Sequence, residues 1–280
     1  MIKNYKEIYN RVSDKKPVPL AIINPVHNYS FKALENAESM GWIKPFIFKN
    51  DTPLVAVREA VTSMENKKPW LLMKGDIDTA SMLKAVIDSD LRISEKRLLS
   101  HVAVIESPFY NRLIITSDGG VNIAFNKLII SSIIENALVV TAALENHHPN
   151  IAALALIENI SQKIPETIHA HSILKKYGSD PRFTIEGPIA LDVALSQKAA
   201  ASKGLSSKIA GKTDVFIGPN ITTTNFIGKA LLGVGNAHGG GIVLGSTVPI
   251  VLLSRSDTLE TKLNSIALGL LILQGVKNGY

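Results

Sequence analysis

The residues best placed to do chemistry follow an apolar run near the end of the chain. Residues 248–253 have the composition of a buried strand, and Ser254, Arg255 and Asp257 come directly after it. From Leu259 onward, apolar residues recur at helical spacing. A helix start offers unpaired backbone N–H groups and the positive end of the helix dipole, and an arginine grips a phosphate or carboxylate in two places. The junction therefore predicts an anion-binding site.

The same junction has a simpler explanation, which the residue types alone leave open. Ser254 or Thr258 would cap the helix and Arg255 would form a surface ion pair, since hydroxyl caps are common at helix starts.

A second strand end, earlier in the chain, has a similar composition. An apolar strand is predicted at residues 70–73, and Lys74, Gly75, Asp78 and Thr79 follow it before a helix with apolar periodicity. Gly75 permits the backbone to come close to a ligand. The alternative is that Asp78 or Thr79 caps the helix and that Lys74 is solvated.

Strands and helices alternate in the first hundred residues, which indicates the elements that position these side chains. Strands are predicted at 19–23, 45–48 and 70–73, with helices at 31–40 and from 53 to about 66. This order is typical of βαβ units and predicts a mainly parallel sheet. Two later strands, at 98–106 and 112–116, are separated only by a turn, which predicts a hairpin and the start of a second domain.

The composition limits the class of protein. The chain has 280 residues, 46% of them hydrophobic, which suits one large or two medium α/β domains. It has no cysteine, which excludes disulfides, cysteine metal sites and a cysteine nucleophile. No apolar run is long enough to span a bilayer and the chain start does not resemble a signal peptide, so we expect a cytoplasmic protein without a membrane partner.

Charge and histidine spacing exclude two further kinds of ligand. The formal net charge is +6, but the lysines and arginines are spread along the chain, so we expect no nucleic-acid partner. The pairs His147 with His148 and His169 with His171 lack the spacing of two metal ligands on one helical face. We therefore expect no metal site.

Four segments carry a more specific signal than residue types alone: residues 248–257 (VPIVLLSRSD), 262–268 (KLNSIAL), 118–122 (DGGVN) and 187–192 (GPIALD). They resemble segments of the phosphate acetyl/butyryltransferase family, and most closely its phosphate butyryltransferase (branched-chain phosphotransacylase) branch. The resemblance extends from about residue 19 to residue 271. It is far more specific than any single short motif.

The resemblance implies an architecture. The expected fold class is α/β, with two domains, a three-layer αβα arrangement, mainly parallel sheets and an interdomain cleft, as in isocitrate and isopropylmalate dehydrogenases. Residues 1–98 plus 250–280 would form the first domain and residues 99–249 the second. Family members are commonly dimers or larger, so a homo-oligomer is expected.

The resemblance also implies a reaction. Members transfer a short or branched acyl group reversibly between coenzyme A and inorganic phosphate, so that the substrates are acyl-CoA, phosphate and acyl phosphate. No metal or redox cofactor is expected, and coenzyme A acts as a substrate. The alternatives are a phosphate acetyltransferase, a dehydrogenase of the isocitrate/isopropylmalate type, or a non-catalytic protein that binds coenzyme A or acyl phosphate. A dehydrogenase would need a set of metal-binding aspartates that is not found.

By this resemblance, Ser254 and Arg255 would hold the phosphate, assisted by Lys74, Gly75 and Thr79. These residues match the family's Ser-Arg pair and its Met-Lys-Gly turn with a threonine at the next helix start. The resemblance therefore names inorganic phosphate as the anion expected at the two strand ends.

Four other residues are carried over as substrate-binding candidates. Lys84 stands where the wider family has an arginine, and it would meet a phosphate of coenzyme A without the bidentate fork. Asn122, Asp192 and Asn225 match positions in family segments near the substrates.

The general base is where the chain departs from the wider family. Acetyltransferases have an aspartate six residues after the arginine of the Ser-Arg pair, and Thr261 occupies that position here. The nearest carboxylates are Asp257 and Glu260, which lie three residues apart and share a helix face. Asp257 is expected to organise Arg255, which makes Glu260 the expected base.

Overall fold

Strands and helices alternate along the chain as the sequence predicts. The computed structural model describes residues 1–25, 28–89, 91, 97–252, 254 and 256–275. The strands are β1 (Val18–Ile23), β2 (Ile43–Phe48), β3 (Leu71–Lys74), β4 (Ser100–Glu106), β5 (Ile114–Ser117), β6 (Asn150–Leu154), β7 (Thr184–Ile189), β8 (Val215–Ile217), β9 (His238–Leu244) and β10 (Ile250–Val251). The helices are α1 (Tyr5–Ser13), α2 (Asn28–Ser39), α3 (Pro53–Met64), α4 (Thr79–Ile87), α5 (Lys127–Ala143), α6 (Pro165–Tyr177), α7 (Leu191–Leu195), α8 (Gln197–Ser202), α9 (Ile221–Gly233) and α10 (Leu259–Gly275).

The chain divides into two compact units. Residues 5–99 and 238–280 form one, called here the terminal unit, and residues 1–4 and 100–237 form the other, the central unit. Residues 238–249, which the predicted division gives to the second domain, lie in the terminal unit because β9 packs on α10. The assignment of functional domains stays a prediction.

The terminal unit has a mixed, mainly parallel sheet in the order β2-β1-β3-β10-β9. The pairs β1–β2, β1–β3 and β3–β10 are parallel, and β9 runs antiparallel to β10. Residues 262–272 of α10 are all buried, and the helix packs on α1, α2 and β9. A helix that is apolar on nearly every face belongs in a core, and α10 fills that role here.

The strands of the central unit lie in the order β4-β5-β8-β6-β7. The hairpin predicted from the sequence is confirmed, because β4 and β5 pair antiparallel with Val102 opposite Ser117. The other neighbouring strands of this sheet are parallel. Phe216 on β8 is among the largest fully buried side chains and packs in a core with residues of β5, β6 and α7.

Helix ends follow the local chemistry that the sequence shows. Pro53 occupies the first turn of α3, where a missing N–H group costs nothing. Gly41, with φ of +73°, follows α2 in the left-handed conformation that favours glycine. Of the described residues 248–252 in the predicted strand, only Ile250–Val251 form β10, so the strand is shorter there than the apolar run predicts.

Candidate functional site

The two strand ends singled out in the sequence are neighbours at one edge of the terminal unit. β3 and β10 are parallel, with Val251 opposite Met73. Leu252 therefore follows beside Lys74, and the turn that contains Ser254 begins beside the turn at Gly75. The carboxyl ends of parallel strands in α/β sheets are where ligands collect.

The turn after β3 is pressed against the end of β1. The backbone N–H of Gly75 donates to Ile23 O at 2.9 Å, and that of Asp76 donates to Asn24 O at 2.8 Å. A Cβ on residue 75 would lie 2.7 Å from Asn24 O. Only glycine fits this close backbone approach, and the buried Lys74 lies directly before it.

The start of α4 resolves the capping alternative at this turn. Asp78 is the cap, because its carboxylate accepts a hydrogen bond from Ser81 N at 2.8 Å. That hydrogen bond lowers the pKa of the Asp78 carboxyl. Thr79 is the first residue of the helix and is half-buried, whereas Lys84 lies exposed in its last turn.

The turn after β10 is held by its own side chains. Asp257 Oδ2 accepts from the backbone N–H of Ser254 at 2.6 Å, and the hydroxyls of Ser254 and Ser256 lie 3.0 Å apart. Thr258 caps α10, with Thr261 N donating to its hydroxyl at 3.1 Å. The sequence left open whether Ser254 or Thr258 caps the helix, and the cap is Thr258. Asp257 holds the turn before the helix.

Arg255, the residue on which the anion-binding interpretation chiefly depends, lies outside the described residues. Its phosphate contact stays a prediction from the sequence. So does the prediction that Asp257 organises Arg255.

Lys262 is a charged residue of this edge that the sequence analysis missed. Its side chain is 3% exposed, and its ammonium donates to Ser254 O at 3.1 Å. Burial lowers the pKa of Lys262, while the carboxylates of Asp257 and Asp76 act in the opposite direction. Lys262 therefore binds the turn after β10 and feels the charge of Asp76 in the turn after β3. The signal was available, because Lys262 is the only lysine in the otherwise largely apolar sequence of α10.

Glu260, the expected base, has a partner that the sequence did not indicate. Its carboxylate lies 2.8 Å from Nδ1 of His238, and the two side chains are 57% and 50% exposed. Burial and the charge of Glu260 raise the pKa of Tyr9 to about 12. Tyr9 in turn donates to Asn264 Oδ1 at 2.5 Å. Glu260, the expected base, is therefore paired with His238.

Two of the carried-over asparagines meet at one turn of the central unit. This turn follows β5 and is built around the fully buried Asp118, whose carboxylate accepts from the backbone and side-chain nitrogens of Asn122 at 3.0 and 2.6 Å. Asn225, on α9, donates to Gly119 O at 2.7 Å. Both asparagines therefore shape the same loop, and their direct contact with substrate stays a prediction.

Asp192 lies apart from that turn. It follows β7, and β8 and β6 lie between β7 and β5, which at ~4.8 Å per strand is a separation of roughly 14 Å. Its carboxylate is 3.1 Å from the ammonium of Lys203, which also contacts Glu158 at 3.0 Å. The hydrogen bond from Lys203 lowers the pKa of Asp192, which makes this carboxylate a weak base.

Within the described ranges, no three histidine, aspartate or glutamate side chains come together as a metal site would require. Across the same residues, no helix has the length and apolar character needed to cross a membrane.

The fold and these residues define an α/β protein in which two strand ends with polar turns lie side by side. The model of the family described as "Phosphate acetyl/butaryl transferase" matches residues 54–270 of the chain. A phosphate butyryltransferase of Clostridium acetobutylicum is 30% identical over 297 residues, which cover 97% of this chain and 99% of that protein. A probable phosphate butyryltransferase of Bacillus subtilis is 35% identical over 243 residues, covering 86% of this chain and 81% of the relative.

Solved structures agree with these sequence matches. A branched-chain phosphotransacylase from Enterococcus faecalis V583 superposes with a TM-score of 0.80 at 28% identity, covering 91% of this chain and 99% of that one. A phosphotransacetylase from Streptococcus pyogenes, only 16% identical, shares the fold with a TM-score of 0.78. The chain belongs to the phosphate acetyl/butyryl transferase family, and the resemblance stated from the sequence is confirmed.

Proposed function

We propose that the protein is a phosphate butyryltransferase, which transfers a short or branched acyl group reversibly between coenzyme A and inorganic phosphate. The balanced reaction is acyl-CoA plus phosphate to acyl phosphate plus coenzyme A. The observation that carries the proposal is the convergence, at one sheet edge, of two strand-end turns and the starts of α4 and α10. This arrangement suits an anionic substrate, and the family relationship supplies the chemistry.

The arrangement supports a phosphate site in the terminal unit. The positive ends of two helix dipoles and the ammonium of the buried Lys262 make the edge favourable for an anion. Arg255 would add a bidentate grip and Ser254 a hydroxyl donor. Holding phosphate and the acyl carbonyl in line is by itself worth several kcal/mol of the activation barrier.

The acyl group is proposed to have four or five carbons, because the relatives include phosphate butyryltransferases and a branched-chain phosphotransacylase. Each methylene buried in an apolar pocket contributes roughly 0.8 kcal/mol, so the preference over acetyl should be modest. Comparing kcat/KM for acetyl-CoA, butyryl-CoA and isobutyryl-CoA tests it. A clear preference for acetyl-CoA would favour a phosphate acetyltransferase, for which relatives such as one from Thermotoga maritima, 35% identical over 230 residues, also exist.

The deciding experiment is phosphate-dependent release of free thiol from butyryl-CoA. We expect release that requires phosphate, that is accompanied by acyl phosphate and that reverses when coenzyme A and butyryl phosphate are supplied. Binding without turnover would indicate a non-catalytic binding protein. Reduction of a nicotinamide cofactor with a hydroxy acid would indicate a dehydrogenase of the isocitrate/isopropylmalate type.

Five parts of the wider picture stay proposals. Two concern the chemistry and the cell: coenzyme A acts as a substrate with no further cofactor, and the protein is cytoplasmic. Three concern the structure: homo-oligomeric assembly, a likeness to isocitrate and isopropylmalate dehydrogenases, and an interdomain cleft that holds the substrates. Size-exclusion chromatography with light scattering tests the assembly, and activity after exhaustive chelation tests the independence from metal.

A further inference from the structure

We infer that His238 is the general base that takes the proton of the coenzyme A thiol, with Glu260 as its positioning residue. The inference rests on the proposed acyl transfer. It is carried by the position of β9 in the sheet, by the packing that fixes His238, and by the ion pair of His238 with Glu260.

The antiparallel direction of β9 brings His238 to the edge that holds the phosphate-site candidates. Val243 on β9 is opposite Ile250 on β10. Because the two strands are antiparallel, the first residue of β9, His238, lies toward the end of the sheet at which β10 ends. His238 contacts Glu260 in the first turn of α10, and Lys262 of the same part of the helix donates to Ser254 O. His238 and Ser254 therefore both lie at the start of α10.

Close packing of β9 on α10 fixes His238 beside the first turn of the helix. Asn264 Nδ2 donates to Gly239 O at 3.1 Å, and the backbone N–H of Gly241 donates to Ser265 Oγ at 2.9 Å. The glycines permit the strand to lie directly against the helix. Because two adjacent residues of α10 hold the strand, the position of His238 is set by contacts of the β9 backbone rather than by its own exposed side chain.

The contact with Glu260 gives the imidazole a defined orientation, because the carboxylate lies 2.8 Å from Nδ1. In the neutral tautomer that carries its proton on Nδ1, Glu260 accepts the Nδ1–H hydrogen bond and Nε2 keeps the lone pair that can take a proton. Half of the His238 side chain is exposed, which leaves Nε2 accessible to a substrate. A histidine oriented by a carboxylate is a general arrangement for base catalysis.

The chemistry favours His238 over an isolated carboxylate. A free thiol has a pKa of about 8.5, so little of it is thiolate at neutral pH and a base must take its proton. Histidine is the side chain most often used as a general base, and a carboxylate that binds one ring nitrogen orients the other toward its substrate.

In the acyl-CoA-forming direction, Nε2 accepts the thiol proton while sulfur attacks the carbonyl carbon of the acyl phosphate. The new C–S bond forms, the tetrahedral intermediate collapses, and the C–O bond to phosphate breaks. The proton held on the imidazole then passes to the departing phosphate, so that HPO₄²⁻ leaves. In the reverse direction, the imidazolium protonates the thiolate as the C–S bond breaks.

The test measures acyl-CoA formation from butyryl phosphate and coenzyme A across pH 7 to 8.5 for the wild type and His238→Gln. At pH 7 the variant should lose ~10²-fold in kcat, the usual scale for removal of a general base, with little change in KM for butyryl phosphate. Without a base, the rate follows the thiolate fraction, which rises nearly tenfold per pH unit below ~8.5. The ratio of wild-type to variant rate should therefore shrink about tenfold from pH 7 to 8.

Two further variants complete the design. Glu260→Gln should lose less activity than His238→Gln, and its rate relative to the wild type should change less with pH, because the base remains but is less well oriented. The matched control is His148→Gln, which removes an exposed imidazole that contacts the hydroxyl of Thr184 in the central unit. This control should retain wild-type rates at each pH. Tyr9, whose pKa the charge of Glu260 helps to raise to about 12, does not titrate in the assay range.

A purely structural role for His238 predicts a loss that is the same at every pH, and that result would overturn the inference, as would a loss below threefold. Circular dichroism checks folding, and His238→Asn, which can still donate to Glu260, carries the test if His238→Gln does not fold. Failure of both variants to fold would also refute the inference, since a base at an exposed position is not needed for folding. A wild type that transfers no acyl group from any acyl phosphate would instead refute the proposed function.

Discussion

Replacing Gly75 with alanine is the most direct test of the site built from the two strand ends. The added Cβ would lie 2.7 Å from both the carbonyl carbon and oxygen of Asn24, and closer still to Ile23 O. Ordinary van der Waals contact begins at 3.4 Å, so the turn must retreat from Asn24 by about 0.7 Å and by more than that from Ile23 O, the nearest of the three atoms. All three of these neighbours are backbone atoms, which cannot rotate away as a flexible side chain would.

The magnitude follows from this displacement. Overpacking of this kind costs about 1–3 kcal/mol, and weakening the 2.9 Å hydrogen bond from Gly75 N to Ile23 O adds about 1 kcal/mol. At ~2–4 °C per kcal/mol for a domain of this size, the melting temperature should fall by roughly 5–15 °C. A shift of the phosphate-site turn by nearly 1 Å should also lower kcat/KM for phosphate by about tenfold or more.

The assays are thermal unfolding followed by circular dichroism and initial rates at varied phosphate concentration, measured well below the melting temperature of the variant. Gly233→Ala is the matched control, because a Cβ on Gly233, at the end of α9, would meet nothing within 4 Å. That control should be neutral or slightly stabilising. Gly75→Ala with wild-type melting temperature and phosphate kinetics would refute the argument from close approach.

Three further substitutions test charges of the terminal unit. Arg255→Lys keeps the charge but loses the fork, so KM for phosphate should rise and kcat fall; unchanged phosphate kinetics would contradict the assignment. The pKa of Lys262 is lowered from 10.5 in the folded state, so the unfolded state binds the proton more readily and the free energy of unfolding should rise as pH rises toward 10.5. Urea unfolding of Lys262→Met should lack this rise in the free energy of unfolding. The pKa of Tyr9 is raised from 10.0 to about 12, so its contribution to the free energy of unfolding is present below pH 10 and is lost as pH rises toward 12. The free energy of unfolding of Tyr9→Phe should not show this decrease between pH 10 and 12. Phenolate absorbance should show the titration near pH 12 reduced, but not abolished, in Tyr9→Phe, since Tyr110 has a similar pKa.

Local chemistry in the sequence predicted most of the elements. Alternating strands and helices, the proline that opens α3 and the glycine that follows α2 are all encoded within a few neighbouring residues. Both candidate strand ends were identified in the same way. Their adjacency was not, because it depends on pairing of β3 with β10, which are far apart in the chain.

The site residues show the same limit. Lys262 carried a local signal, a charge within an apolar helix, and was overlooked. The partner of Glu260 had no local signal, since His238 reaches it only through the antiparallel course of β9. Asp192 appeared available in the sequence, but Lys203, eleven residues later, pairs with it across a turn whose shape depends on tertiary packing.

The discontinuous make-up of the terminal unit has a consequence for synthesis on the ribosome. Residues 5–99 emerge early, but α10 and β9, which complete their core, are translated only after the whole contiguous stretch of the central unit. At ~5–20 residues per second, the early elements wait roughly 10–35 s for the helix that covers them. During that interval α1, α2 and Leu71 of β3 expose surface on which α10 later packs. The nascent chain should therefore need chaperone protection over its first hundred residues more than over its middle, even though the middle is made later.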